Sequence, residues 1–214
     1  MEGYGAAMND AQGDFDGGLA YRAARHRIVA LVTAPGVDHD AIVPATPEWS
    51  VHDLVAHLAG IARDAATGNM AGAPGDAWTA AQVERSRGLS VADLVAQWEQ
   101  DAPMIEAFFS SAGAGLAQRG VIDIHTHEAD LLNALGRPVE LPADFLQWVG
   151  ALFREELRLV PRVSDLELLR ARLGRRTEAE VRAYDWPSDP GDDLDWFFAF
   201  GIAERSLGEV SAPT

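Results

Sequence analysis

Asp123-x-x-x-His127 sets a carboxylate and an imidazole one turn apart on a helix face, a spacing that suits a divalent metal. At about 100° per residue, Asp130 falls on the same strip, away from an apolar face of Ile122, Ala129 and Leu132. That strip is either solvated or lines a cavity. His57 offers a third ligand from a separate segment, with Asp53 one turn earlier as a carboxylate that could orient its second nitrogen. Three ligands from two facing helices leave coordination positions open, which is the pattern of a catalytic metal, and Asp130 would then support the ligand shell. Plainer readings stand beside this one. An i,i+4 Asp/His pair on a helix surface contributes roughly a few tenths of a kcal/mol, and His57 alone reads first as a boundary histidine satisfied by a neighbour. A rival pair, His125 and Glu128, projects toward the apolar side as ligands or as a contact that fixes the helix. His26, His39 and His52 read as surface or loop residues.

The elements that must position these groups read as helices throughout. A first helix fits residues 18–32 and stops at Pro35-Gly36, followed by an irregular linker to Trp49. Ser50 with Asp53 opens a second helix whose core stripe is Val51, Leu54, Val55, Leu58 and Ile61 or Ala62. Thr79 with Gln82 opens a short helix ending at Gly88. Ser90 with Asp93 opens a longer one carrying Leu94, Val95, Trp98, Ile105 and Phe108. A helix over 121–135 ends at Gly136, and Pro142 opens another through Phe145, Trp148, Val149, Phe153 and Leu157. Capping boxes are expected at Ser164/Glu167 and Thr177/Glu180, then a break from Pro187 to Pro190 and an apolar helix around Trp196 to Phe200. Trp49, Trp98 and Trp148 read as core or boundary packing.

Composition narrows the chemistry further. The 214 residues are enough for one core, and their 48% hydrophobic content is that of a globular protein. No apolar run approaches the ~20 residues that span a bilayer, so a soluble, cytoplasmic protein is expected. Residues 1–18 carry Asp10, Asp14 and Asp16 but no basic residue or apolar core, which predicts a flexible tail and no secretory signal. A net charge of -16 disfavours nucleic acid and anionic membranes as partners. Cys is absent, so the chain has no thiolate of its own. All 17 basic residues are Arg, which excludes Schiff-base chemistry and a P-loop lysine. Arg without Lys, with abundant Ala and Gly, is the usage of a GC-rich genome of the actinobacterial type.

Three segments together resemble the mycothiol-dependent maleylpyruvate isomerase family, within the wider DinB-like group. They are Pro47-Glu-Trp-Ser-Val-His-Asp-Leu-Val-Ala-His-Leu-Ala-Gly60, Asp123-Ile-His-Thr-His-Glu-Ala-Asp-Leu-Leu-Asn-Ala-Leu-Gly136 and Gly174-Arg-Arg-Thr-Glu-Ala-Glu-Val-Arg-Ala-Tyr-Asp-Trp186. The resemblance implies an all-α protein: a DinB-like four-helix bundle over 18–160 after a tail over 1–17, then an abbreviated, mainly helical C-terminal extension over 161–214. It implies a divalent metal, zinc foremost, held by His57, Asp123 and His127. Asp123 stands where the isomerase has Glu, one methylene longer.

The same resemblance implies mycothiol as a thiol cosubstrate, whose sulfur the metal holds as thiolate for addition to a small electrophile. With maleylpyruvate, addition, bond rotation and elimination give cis-to-trans isomerisation; with other electrophiles the outcome is S-transfer. Arg175 and Arg176 are candidates for clamping a carboxylate of substrate or cofactor, or else serve as helix-cap and surface charges. Two other classes stay open: a non-catalytic metal- or ligand-binding bundle, and a plain helical homodimer in which the triad is merely polar.

Overall fold

Asp16 caps the first helix, its carboxylate accepting from the backbone N–H of Gly18 and Leu19, and this helix, α1 (Gly17–Val32), opens the first of two compact units. The structure is a computed structural model that describes residues 15–111, 115–198 and 200–209. Most of the tail expected over 1–17 therefore lies outside the described residues. Nothing but helix, turn and loop occurs among the described residues, apart from one isolated antiparallel bridge between Ile42 and Ser50.

The unit of residues 16–138 holds α1, α2 (Val51–Thr67), α3 (Asp76–Ser86), α4 (Val91–Ser111) and α5 (Leu116–Ala134). Four of these, α1, α2, α4 and α5, form the bundle: α4 packs on both α1 and α2, α1 on α5, and α3 lies against the outer side of α2. Ile28, Leu54, Leu58, Leu94, Trp98, Ile124 and Leu131 fill the interior. With no Lys available, the helices are tied by guanidiniums. Arg22 and Arg25 both reach Glu106, joining α1 to α4, and Arg63 reaches Asp101 at 2.7 Å, joining α2 to α4.

Local capping behaves as its residue types dictate. Ser50 and Asp53 form the reciprocal box at the start of α2, and Ser90 and Asp93 exchange the same bonds before α4. Three expectations are corrected. The third helix starts at Asp76, a turn before Thr79, so Gln82 is mid-helix and not a cap. On α4, Phe109 is buried and Phe108 exposed, because the neighbouring helices wrap one more residue of that turn. Helix α5 begins at Leu116, a turn before Val121, and is buried almost all round from Ile124 to Leu131; of the two readings of its polar strip, His127 and Asp130 take the enclosed one while Asp123 stays partly open to solvent.

The second unit holds residues 139–209 together with Phe15, which stacks on Trp148 with ring centroids 4.3 Å apart. It comprises α6 (Ala143–Glu156), α7 (Asp165–Arg172), α8 (Glu178–Arg182), a 3-10 turn (Gly191–Asp193) and α9 (Leu194–Phe197). The helix that Pro142 precedes thus packs on α7 in this unit, burying Phe145, Val149 and Phe153. Thr177 and Glu180 make the expected box, but Ser164 only half of one. Glu167 turns away to bind Arg176 and the Tyr184 hydroxyl.

Candidate metal centre

Helix period alone sets the α5 half of the site. His127 Nε2 lies 3.5 Å from Asp123 Oδ1 one turn before it, and His127 Nδ1 lies 3.2 Å from Asp130 Oδ2 one turn after. Asp130 is fully buried and Asp123 is partly open to solvent. From α2, His57 brings Nε2 to 3.9 Å from Asp123 Oδ2. The two imidazoles meet edge to face with centroids 5.3 Å apart. One ligand atom from each of His57, Asp123 and His127 lies within 4.8 Å of the others, and this is the metal-capable group among the described residues.

Two nitrogens and an oxygen held about 2.0–2.2 Å from one ion sit roughly 3.4 Å from each other. His127 and Asp123 already stand at that separation, and with the three ligand atoms within 4.8 Å of one another His57 needs to close by up to about 1.4 Å. Both rings aim Nε2 inward and tether Nδ1 outward, to Gln82 in one case and Asp130 in the other. The donor set fits a divalent cation of the zinc class, with the solvent side of Asp123 as its open face.

Electrostatics treats the two rings oppositely. Burial pushes His57 down to about 4, against the opposing pull of Asp123, and the charge of His127 adds to the fall. Burial also works against a charge on His127, but Asp123 and then Asp130 overcome it and hold the ring up at about 9. At neutral pH the metal-free site therefore carries one extra proton, on His127, as an imidazolium beside two carboxylates. Tyr21 stands near enough to feel Asp123. Burial first, and that charge with it, keep its phenol protonated, while its oxygen accepts from the Trp98 indole at 3.2 Å.

The other candidates sort cleanly. Glu128 is gripped by Arg27 through two bonds of 2.6 and 2.8 Å, which makes it the helix-fixing contact, and His125 Nδ1 bonds the Val121 carbonyl of its own helix. Arg176 is engaged by Glu167 and Glu209, and Arg175 donates to the Leu173 carbonyl. Asp53 does not orient His57. Its carboxylate is occupied by the Ser50 cap, and Gln82 takes the place expected for it, at 2.8 Å from Nδ1.

Two neighbours escaped the sequence reading. Gln82 looked like a cap partner of Thr79, and its distance of 25 residues from His57 gave no signal. Trp49 looked like packing, yet its ring lies 5.2 Å from His57 and 6.4 Å from His127. The loop before α2 puts it there, because Val43 N–H bonds Trp49 O and Val51 N–H bonds Ala41 O at 2.9 Å each. Its adjacency to the Ser50 cap was the one available clue.

Comparison with known proteins agrees with this layout. The family model described as the mycothiol maleylpyruvate isomerase N-terminal domain matches residues 21–140, which include every residue of the triad. No curated protein and no solved structure matches the chain. Since the matched segment is more than half of the chain and carries the bundle with its His57, Asp123 and His127 cluster, the protein belongs to the mycothiol maleylpyruvate isomerase N-terminal domain family.

Proposed function

We propose that the chain is a metal-dependent enzyme of the mycothiol-dependent isomerase or S-transferase type, working in the cytoplasm on a small electrophile. The observation that carries this reading is the convergence of His57, Asp123 and His127 from two helices onto one volume. His57 Nε2, His127 Nε2 and an Asp123 oxygen would hold the ion. When bound, a divalent metal such as zinc supplies the Lewis acidity that keeps a small thiol as its thiolate at neutral pH. The sulfur comes from mycothiol, since the chain has no Cys.

The protein's own groups do the rest. Asp130 and Gln82 fix the two ring planes, the Trp49 indole walls the imidazole side and keeps water off it, and the exposed flank of Asp123 is the side from which thiol and electrophile approach. The carboxylate clamp assigned to Arg175 and Arg176 belongs to the same proposal. Arg176 would bind such a ligand in exchange for Glu209 or Glu167. Among the described residues no helix is long and apolar enough to cross a membrane.

The test is metal content, measured on full-length protein purified without added metal, followed by turnover of maleylpyruvate with mycothiol. About one metal ion per chain is expected, lost in His57→Ala and His127→Ala and kept in His125→Ala. Turnover should disappear with the metal. A protein that binds metal tightly yet consumes no mycothiol with any electrophile would be a binding protein, and one that holds no metal would remove the proposal altogether.

A further inference from the structure

Helix α3 contributes no ligand, yet its buried face is polar where it meets α2. Gln82 is fully buried there and Asp64 nearly so. An ionised carboxylate can only accept hydrogen bonds. Asp64 Oδ1 accepts from Arg85 Nη2 at 2.7 Å and from Asn69 Nδ2 at 2.9 Å, and Oδ2 accepts from Gln82 Nε2 at 2.8 Å. The last contact fixes the amide, because its NH2 must face Asp64 and its Oε1 must face His57. An amide oxygen also only accepts, so in the 2.8 Å contact between them the His57 Nδ1–H is the donor. The ring's lone pair is left on Nε2, the nitrogen that faces Asp123.

The backbone makes room for this arrangement. A Cβ at Gly60, on α2, would stand 2.8 Å from Gln82 Cβ and 2.9 Å from its Cγ, closer than real Cβ contacts come. Any side chain at position 60 would push α3 outward and draw the amide off His57.

We propose that Gln82 is a positioning residue that locks His57 as its Nδ1–H tautomer for the ion, through a chain in which His57 donates to Gln82 and Gln82 donates to Asp64, whose other oxygen accepts from Arg85 and Asn69. The inference rests on the metal reading of the site. Arg85 neutralises Asp64, and the interposed amide passes on orientation without passing on charge. His127, by contrast, donates directly to a carboxylate.

The experiment uses full-length protein stripped of metal, with 15N-labelled histidine to read the His57 tautomer from multiple-bond correlations, and a zinc titration against a chromogenic chelator. Wild type should show Nδ1–H at His57. Gln82→Leu removes the acceptor, and should shift the tautomer and weaken zinc binding by roughly 10- to 100-fold. The double variant Gln82→Glu with Asp64→Asn keeps an acceptor at Nδ1 and a donor facing it, and should retain the wild-type tautomer. Gly60→Ala should move both readouts in the same direction as Gln82→Leu by less.

A purely structural role would lower the melting temperature of Gln82→Leu while leaving tautomer and zinc affinity alone, and that result overturns the proposal. So does an Nε2–H ring in wild type, or loss of the Nδ1–H tautomer in the double variant while it remains folded. If wild type shows the expected tautomer, lost in Gln82→Leu, yet takes up no zinc, the hydrogen-bond chain stands and the metal reading falls.

Discussion

His127 takes both its partners from its own helix, with Asp123 a turn before and Asp130 a turn after, whereas His57 is held by Gln82 from another helix and flanked by Trp49 from a loop. Both rings are buried to nearly the same degree, 5% exposed for His57 and 7% for His127, yet one is held neutral and the other protonated. Burial therefore does not decide the difference. The closer approach of Asp123 to His127 does, and the charge of the group at Nδ1 adds to it. A neutral amide leaves desolvation in command, while a carboxylate outweighs it. The site thus pairs a strongly polarised ring with a weakly polarised one around the same carboxylate.

The strongest way to break this comparison is Asp123→Ala, which removes the group both rings share. Metal affinity is expected to fall by roughly 100-fold or more, and the His127 pKa to drop well below 9, both measured on the full chain by metal titration and histidine NMR. Next comes Asp130→Asn, which gives His127 an amide like that of His57. Zinc affinity should fall by about 10- to 100-fold, and the His127 pKa should move toward that of His57. If it does not, the carboxylate is not what separates the rings.

Proton counting sharpens the contrast. Near pH 7.5 metal uptake should release about one proton, from His127 and none from His57, because the metal-free pKa values are about 9 and about 4. Calorimetry in buffers of different ionisation enthalpy reads that number. Affinity should consequently rise with pH up to about 9 and level off beyond it.

Stability of the metal-free protein follows with opposite signs. His127 is raised above its ordinary 6.5, so its contribution is present below that pH and is lost as pH climbs through about 9. His57 is lowered, so its contribution is present above 6.5 and is lost as pH falls through about 4. Urea denaturation of wild type, His57→Gln and His127→Gln across pH 4–9 separates the two slopes. The smallest effect is expected from Trp49→Phe, where metal affinity should change by no more than about 3-fold because an aromatic wall remains. Quenching of the intrinsic fluorescence by Co2+ should lessen, since the indole nearest both imidazoles is gone.

What could be read along the chain was whatever local geometry governs. Asp123, His127 and Asp130 share a strip because an α-helix repeats every 3.6 residues, and Ser50/Asp53 and Thr177/Glu180 cap helices because their side chains reach backbone N–H groups a few atoms away. The absence of Cys and Lys fixed which nucleophiles the chain can lack or own. His57 was legible as a third ligand from a separate segment beside plainer readings, and the family motifs favoured it.

Only the tertiary structure decided which groups support the ligands. Spacing pointed to Asp53 beside His57, but a carboxylate already satisfied by Ser50 has nothing left to offer, and the packing of α3 against Gly60 delivered Gln82 instead. Phe109 replaced Phe108 in the core, and His127 and Asp130 of the strip on α5 became enclosed while Asp123 did not, because burial depends on what the neighbouring helices cover and not on the helix's own period alone. Contacts between residues 25 apart, such as Gln82 with His57, have no periodic trace. They arise from how two helices meet, and the amino-acid order encodes that meeting only through the sum of all the packing around it.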